Sequence, residues 1–216
     1  MQRTLVLDLD GTLVDSVPDL TAALNRLMAA RDLPGFTEPE VTHLVGDGAL
    51  ALVERAFAAR GRAPDETALA DFLADYGANA AVHTRAFPGV PETLRTLAEA
   101  GWKLAVCTNK PEVPARRLLG ALGLEGYFAA IGAGDSFPVR KPDPRHLLAT
   151  LEAAGGTPGR AVMAGDHHND VLAAAGLGMP VIFAAWGYGS PEVGALAAAV
   201  AHRFSDLPAI AARLLE

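Results

Sequence analysis

The chain has 216 residues, half of them hydrophobic and a fifth charged, with a formal net charge of −7 at pH 7, a balance that suits a globular protein burying an ordinary core. Its one cysteine, Cys107, excludes an internal disulfide, and no Cys/His cluster has zinc-finger spacing. No basic or aromatic–basic stripe suggests nucleic acid, no run nears the ~20 apolar residues of a membrane span, and Met1-Gln2-Arg3 opens no signal peptide, so a cytoplasmic chain with neither partner is expected.

Thr4–Leu7 is a short apolar run ending at Asp8, which predicts a strand buried on both faces. From Asp15 to about His83 only helical periodicity follows. Val17, Leu20, Leu24, Leu27 and Met28 form one stripe. Thr37-Glu38-Pro39-Glu40 has capping-box spacing with a proline in the first turn. Leu50, Val53, Ala56 and Phe57 form a second stripe, and Leu69, Phe72, Leu73 and Tyr76 a third. Strand and helix then alternate. Pro91–Ala100 predicts a helix stopped by Gly101, Lys103–Cys107 a strand before Thr108-Asn109, and Val113–Leu122 a helix stopped by Gly123. Phe128–Ile131 is a weaker strand, and Pro144–Ala154 a helix closed by Gly155-Gly156. Ala161–Ala164 is a strand before Gly165-Asp166, Asn169–Ala175 a helix, Pro180–Ala184 a strand and Asp206–Leu215 a last helix.

That alternation implies an α/β fold, a doubly wound, Rossmann-like parallel sheet with helices on both faces. Residues 1–14 and 84–216 would form this core, and 15–83 an inserted, all-helical cap. Ligands of such sheets sit beyond the C-terminal strand ends, where Asp8, Asp10 and Asp166 fall. Asp8 ends a strand and Asp10 lies in the turn after it, with Gly11 free to bend the chain. Carboxylates this close repel unless a cation or proton lies between them.

Asp8-Leu9-Asp10-Gly11-Thr12 resembles the first motif of the haloacid dehalogenase superfamily of phosphohydrolases. Thr108-Asn109, Lys141-Pro142-Asp143-Pro144 and Gly165-Asp166-His167-His168-Asn169-Asp170 are similar to its later motifs, in the same order. The resemblance spans nearly the whole chain, and residues 15–83 look like the family's type 1 cap. It implies a phosphatase in which Asp8 attacks phosphorus and forms an aspartyl phosphate, while Asp10 acts as acid and base. It also implies Mg²⁺ held by Asp8, the Asp10 carbonyl, Asp166 and Asp170, with Thr108, Asn109 and Lys141 on the phosphoryl group. The cap stretch Val45-Gly46-Asp47-Gly48 through Arg55, with Phe87-Pro88-Gly89-Val90, looks like the phosphoglycolate phosphatase branch. That likeness makes Gly46, Gly48 and Arg55 candidate substrate residues, although a cap ion pair is an equal reading of Arg55.

The implied substrate is a small phosphorylated metabolite, most simply 2-phosphoglycolate. Another sugar or organic phosphate, a sugar-phosphate mutase and a non-catalytic phospholigand sensor are the alternatives. A phosphonatase would need a cap lysine, and the lysines are Lys103, Lys110 and Lys141. The chain would act as a monomer or homodimer. His167, where the family has a small hydroxyl residue, and His168 are expected at the pocket rim facing solvent. Cys107 reads as a buried small apolar residue, and Trp186 and Tyr188 as packing against the site.

Overall fold

The computed structural model describes residues 2–216. In chain order the elements are β1 (Thr4–Leu7), β2 (Val14–Asp15), α1 (Val17–Ala29), α2 (Glu38–Thr42), α3 (Ala49–Ala59) and α4 (Ala68–Asn79). Then come β3 (Arg85–Ala86), α5 (Val90–Glu99), β4 (Lys103–Cys107), α6 (Glu112–Ala121), β5 (Ala130–Gly132) and α7 (Pro144–Ala153). The chain ends with β6 (Ala161–Gly165), α8 (His168–Ala175), β7 (Val181–Ala184), α9 (Pro191–Gly194), β8 (Ala199–Ala201) and α10 (Leu207–Leu214).

Six strands form one sheet in the order β5-β4-β1-β6-β7-β8, and every pairing is parallel. β1 is central: Leu5 lies opposite Leu104 on one side and Val162 on the other. Successive residues of a strand point to opposite faces, and the packing follows that rule. Leu5, Leu7, Leu104, Val106, Val162 and Ala164 meet α5, α6 and α10 on one face. Val6, Ala105, Cys107, Ala161 and Met163 meet α7 and α8 on the other. After β1 the sheet grows toward β4 and β5, then returns to the far side of β1 as β6 and β7. Such a reversal opens a crevice at the strand C-termini, and Asp8, Thr108 and Asp166 each follow a strand there.

Helices α1 to α4 bury a separate apolar cluster, Leu20, Leu24, Met28, Val53, Phe57, Phe72 and Tyr76 among it. The capping box forms at α2, where Thr37 N–H donates to Glu40 Oε2 at 2.7 Å. Arg31 links α1 to the start of α4 through Asp65 and Asp71. Where this helical segment joins the sheet domain, β2 and β3 pair antiparallel, and Asp19 accepts from His83 N–H and Thr84 N–H.

Three details depart from the sequence reading. Leu50 is 41% exposed, and Leu52 takes its place in the α3 stripe, because the face of α3 that packs into the helical cluster is centred on Leu52, Val53, Ala56 and Phe57. β2 and β3 are too short to show a period. β8 lies in an Ala-rich run whose composition suggests no strand. Among the described residues, no helix is long and apolar enough to cross a membrane.

Candidate active site

β1 delivers Asp8 to the base of a cleft between the sheet and the helical segment. Its Oδ1 accepts from Leu9 N–H at 2.7 Å and lies 2.9 Å from Lys141 Nζ. Gly11, at φ +80°, turns the chain sharply, and a Cβ there would lie 2.3 Å from Asp166 Oδ2. Only glycine allows the first loop and the Asp166 loop to approach this closely. Asp166 is held by Thr12 Oγ1 at 2.9 Å and by the N–H groups of Tyr188 at 2.7 Å and Gly189 at 3.2 Å.

Asp8, Asp166 and Asp170 are all buried and can each offer an oxygen within 4.8 Å of the others. Burial, more than the Lys141 ammonium can offset, raises Asp8 to about 6. Burial, reinforced by Asp8 and Asp170, raises Asp166 to about 8. Lys141 is 2% exposed and donates to Cys107 O and Asp170 Oδ1, both at 2.6 Å. Its carboxylate partners outweigh its own desolvation and hold its pKa up. Asp170 Oδ2 accepts from His167 N–H at 3.0 Å.

Asp10 faces another way. Its Oδ1 accepts from Ser16 Oγ at 2.5 Å and from Lys110 Nζ at 2.9 Å. Lys110, which the sequence reading passed over, is buried under the ring of Tyr76 from α4, 4.5 Å from its centroid. Its place directly after Thr108-Asn109 was the available signal. The four carboxylates Asp8, Asp10, Asp166 and Asp170 face two ammonium groups, Lys110 and Lys141. With all four ionised the deficit is two positive charges, and the donors are all oxygen. A hard divalent cation fits both counts.

The family model for haloacid dehalogenase-like hydrolases matches residues 2–178, the span that carries the four carboxylates and both lysines just described. The chain belongs to the haloacid dehalogenase-like hydrolases. A phosphoglycolate phosphatase of Agrobacterium fabrum is 47% identical over 187 residues, 85% of this chain and 80% of that one. One from Caulobacter vibrioides is 44% identical over 98% of this chain and 92% of its own. The crystal structure of a predicted phosphoglycolate phosphatase from Haemophilus somnus superposes with a TM-score of 0.89 at 31% identity, covering 97% of both chains.

In this hydrolase the remaining candidates divide. Thr108 lines the cleft and accepts from Lys110 N–H at 3.1 Å through its hydroxyl. Asn109 also lines it, but its amide donates to Gly46 O at 3.0 Å and Lys141 O at 2.9 Å. Both its side-chain protons are thus spent on joining the helical segment's loop to the lysine loop, so it does not reach toward a phosphoryl group as a donor. Gly46 and Gly48 line the cleft. Arg55 does not line it: it pairs with Asp47 and Leu44 O at the surface, with 43% of its side chain exposed. In this arrangement Arg55 makes the cap ion pair and does not reach the cleft.

His167 departs from expectation, since its ring lies inside the cleft against Gly46 rather than in solvent at the rim. His168 is exposed. Cys107 is buried and its thiol is pushed up to about 12 by desolvation. Trp186 donates to Thr12 O at 3.1 Å and packs edge-on against Phe204, while Tyr188 reaches Asp15 Oδ1 at 2.8 Å.

Proposed function

We propose that this hydrolase removes the phosphoryl group of a small organic phosphate monoester, with 2-phosphoglycolate as its substrate. The observation that carries the reading is the placement of the Asp8 carboxylate at the cleft floor, 2.9 Å from Lys141 and beside Asp166 and Asp170. Asp8 attacks phosphorus and the ester oxygen leaves, giving an aspartyl phosphate that water then cleaves. Asp10 hands a proton to the departing oxygen and takes one from the water. Thr108 and Lys141 balance charge on the phosphoryl oxygens. Asp8, the main-chain carbonyl of Asp10, Asp166 and Asp170 would hold Mg²⁺, which when bound offsets the charge of the phosphate and the carboxylates.

The substrate reading draws support from relatives of that name and from the cleft lining. The helical segment contributes Leu20, Val45, Ala49, Leu52, Phe72, Leu73 and Tyr76, a nearly apolar wall. Burying sugar hydroxyl groups against such a wall leaves them unpaired at about 1–3 kcal/mol each. 2-Phosphoglycolate has no hydroxyl group to lose, and its carboxylate would have to turn from that wall toward the polar lining at Thr108, Lys110 and His167, since an unpaired buried charge costs more than a hydroxyl. Residues 15–83 would act as a cap that closes over it and reopens for release.

Phosphate release should be measured with Mg²⁺ across 2-phosphoglycolate, glycerol and sugar phosphates, nucleotides and an aryl phosphate, with Asp8→Asn as blank. The expected result is a kcat/KM for 2-phosphoglycolate at least about tenfold above the others (~1.4 kcal/mol). A better rival would move the substrate and keep the chemistry. No release from any ester by folded, metal-bound protein would overturn both.

A further inference from the structure

We propose that Asp47, His167 and His168 form a second metal site, specific for a divalent transition cation of zinc type, that fastens the loop before α3 onto the sheet domain. The three side chains come from two separate parts of the fold. Asp47 lies in the loop before α3, and the histidines follow β6. Each offers one ligand atom, and all three atoms lie within 4.8 Å of one another. The two imidazole rings are adjacent, with centroids 4.3 Å apart and planes tilted 45°. Two imidazoles and a carboxylate are a donor set for Zn²⁺, Co²⁺ or Ni²⁺, whereas Mg²⁺ takes oxygen ligands. The acidic cluster at Asp8 and this N₂O cluster therefore select different ions.

Two observations favour a ligand here over a chance meeting of surface groups. His167 Nδ1 is buried without a hydrogen-bond partner, a cost that a buried polar atom rarely bears without purpose. The loop is also held in register. Gly46 approaches the His167 ring so closely that a Cβ would lie 2.5 Å from Nε2. Asn169 Nδ2 donates to Asp47 Oδ1 at 2.7 Å, and Arg55 pairs with Oδ2. A carboxylate has about four lone-pair sites, so both contacts leave room for a cation and orient the group toward it. His168 is exposed, which gives an ion a path from solvent.

Such a site would act on turnover rather than on chemistry. A cation shared by Asp47 and the two histidines holds the loop closed, while product release requires it to lift. The bound ion would thus slow the enzyme at saturating Mg²⁺. This goes beyond the hydrolytic reading and is tested first by binding, which needs no substrate.

Protein in excess Mg²⁺ should be titrated with Co²⁺ followed by visible absorption, and with Zn²⁺ followed by calorimetry. The expected result is one ion per chain, with the absorption of a nitrogen-bearing, low-coordinate Co²⁺. Affinity should fall at least about tenfold in His168→Gln and in Asp47→Asn, since losing a ligand costs no less than losing a group behind one. Stoichiometric Zn²⁺ should slow Mg²⁺-supported turnover of the wild type and leave His168→Gln, whose turnover without Zn²⁺ is unchanged, at full rate. Co²⁺ or Zn²⁺ binding that excess Mg²⁺ removes, or that both variants retain at full affinity, would overturn the proposal. So would tight binding with no effect on turnover.

Discussion

The ammonium of Lys110 lies 2.9 Å from Oδ1 and 3.1 Å from Oδ2 of Asp10, with the face of Tyr76 4.5 Å away. One cation thus serves the proposed acid–base group on the sheet domain and an aromatic ring on α4. Desolvation opposes the charge on Lys110, but Asp10 and then Tyr76 more than restore it, and its pKa stands above the ordinary lysine value. Lys110→Met would leave the partly buried Asp10 carboxylate without its ammonium partner. We expect kcat to fall by about 10²-fold, the scale of general acid–base assistance, with KM changed far less. Lys110→Arg should recover part of the loss. Steady-state kinetics on the three proteins, with folding checked by circular dichroism, decides this. An unchanged kcat in Lys110→Met would remove Lys110 from the mechanism.

Lys141 answers a different need. Its ammonium is fully enclosed and touches Asp8 Oδ1 at 2.9 Å and Asp170 Oδ1 at 2.6 Å. Removing it leaves two buried carboxylates without their counter-charge, a loss of about 3–5 kcal/mol for a broken buried pair. Lys141→Met should therefore unfold at markedly lower urea concentration and show no phosphatase activity. Added Mg²⁺ should raise its unfolding midpoint more than that of the wild type, because the cation replaces part of the missing charge. Equal Mg²⁺ responses in the two proteins would count against a shared charge cluster.

How much of this was legible in the sequence depends on the range over which each feature is encoded. The buried strands at Thr4–Leu7, Lys103–Cys107 and Ala161–Gly165 are written as continuous apolar runs, and the structure has them within a residue. The loops after them were readable because Asp, Thr and Gly stand where a parallel sheet places its ligands. What could not be read was contact across the cleft. Lys110 is 100 residues from Asp10 in the chain, and Asn169 is 122 from Asp47. No local period records that these meet. Leu50 was misplaced for a milder reason: Leu50 falls at helical spacing from Val53 and Leu52 from Ala56, and local periodicity does not say which edge of the stripe the neighbouring helices cover.

Arg55 offers a test by its indifference. It lies outside the cleft, with 43% of its side chain exposed, and is paired with Asp47. Exposed pairs contribute about 0–1 kcal/mol. Arg55→Ala should change kcat/KM for 2-phosphoglycolate by less than about threefold (~0.7 kcal/mol). A large rise in KM with kcat unchanged would instead return Arg55 to the substrate's binding groups.

His146 should make stability depend on pH independently of the catalytic groups. It is fully buried on α7, with Nε2 2.9 Å from Ala133 O, Nδ1 3.7 Å from Cys107 Sγ, and Phe137 edge-on. Burial lowers its pKa from 6.5 to about 4, the bond to Ala133 O and nearby Asp143 pulling weakly the other way while Lys141 adds to the lowering. The folded form thus keeps the ring neutral where the unfolded chain takes up a proton. Protons bound by the unfolded state exceed those of the native state between about pH 4 and 6.5, so stability rises with pH across that window. His146's contribution is complete above the unfolded value and is lost as pH falls toward 4. Moving from pH 7.5 to 5.0 should cost about 2 kcal/mol through this residue alone. Urea denaturation of wild type and His146→Gln at the two pH values isolates the effect, since other titrating groups cancel in the difference. The variant should start less stable at pH 7.5 and lose about 2 kcal/mol less on acidification; parallel losses in the two proteins would show that the buried ring takes up its proton without cost.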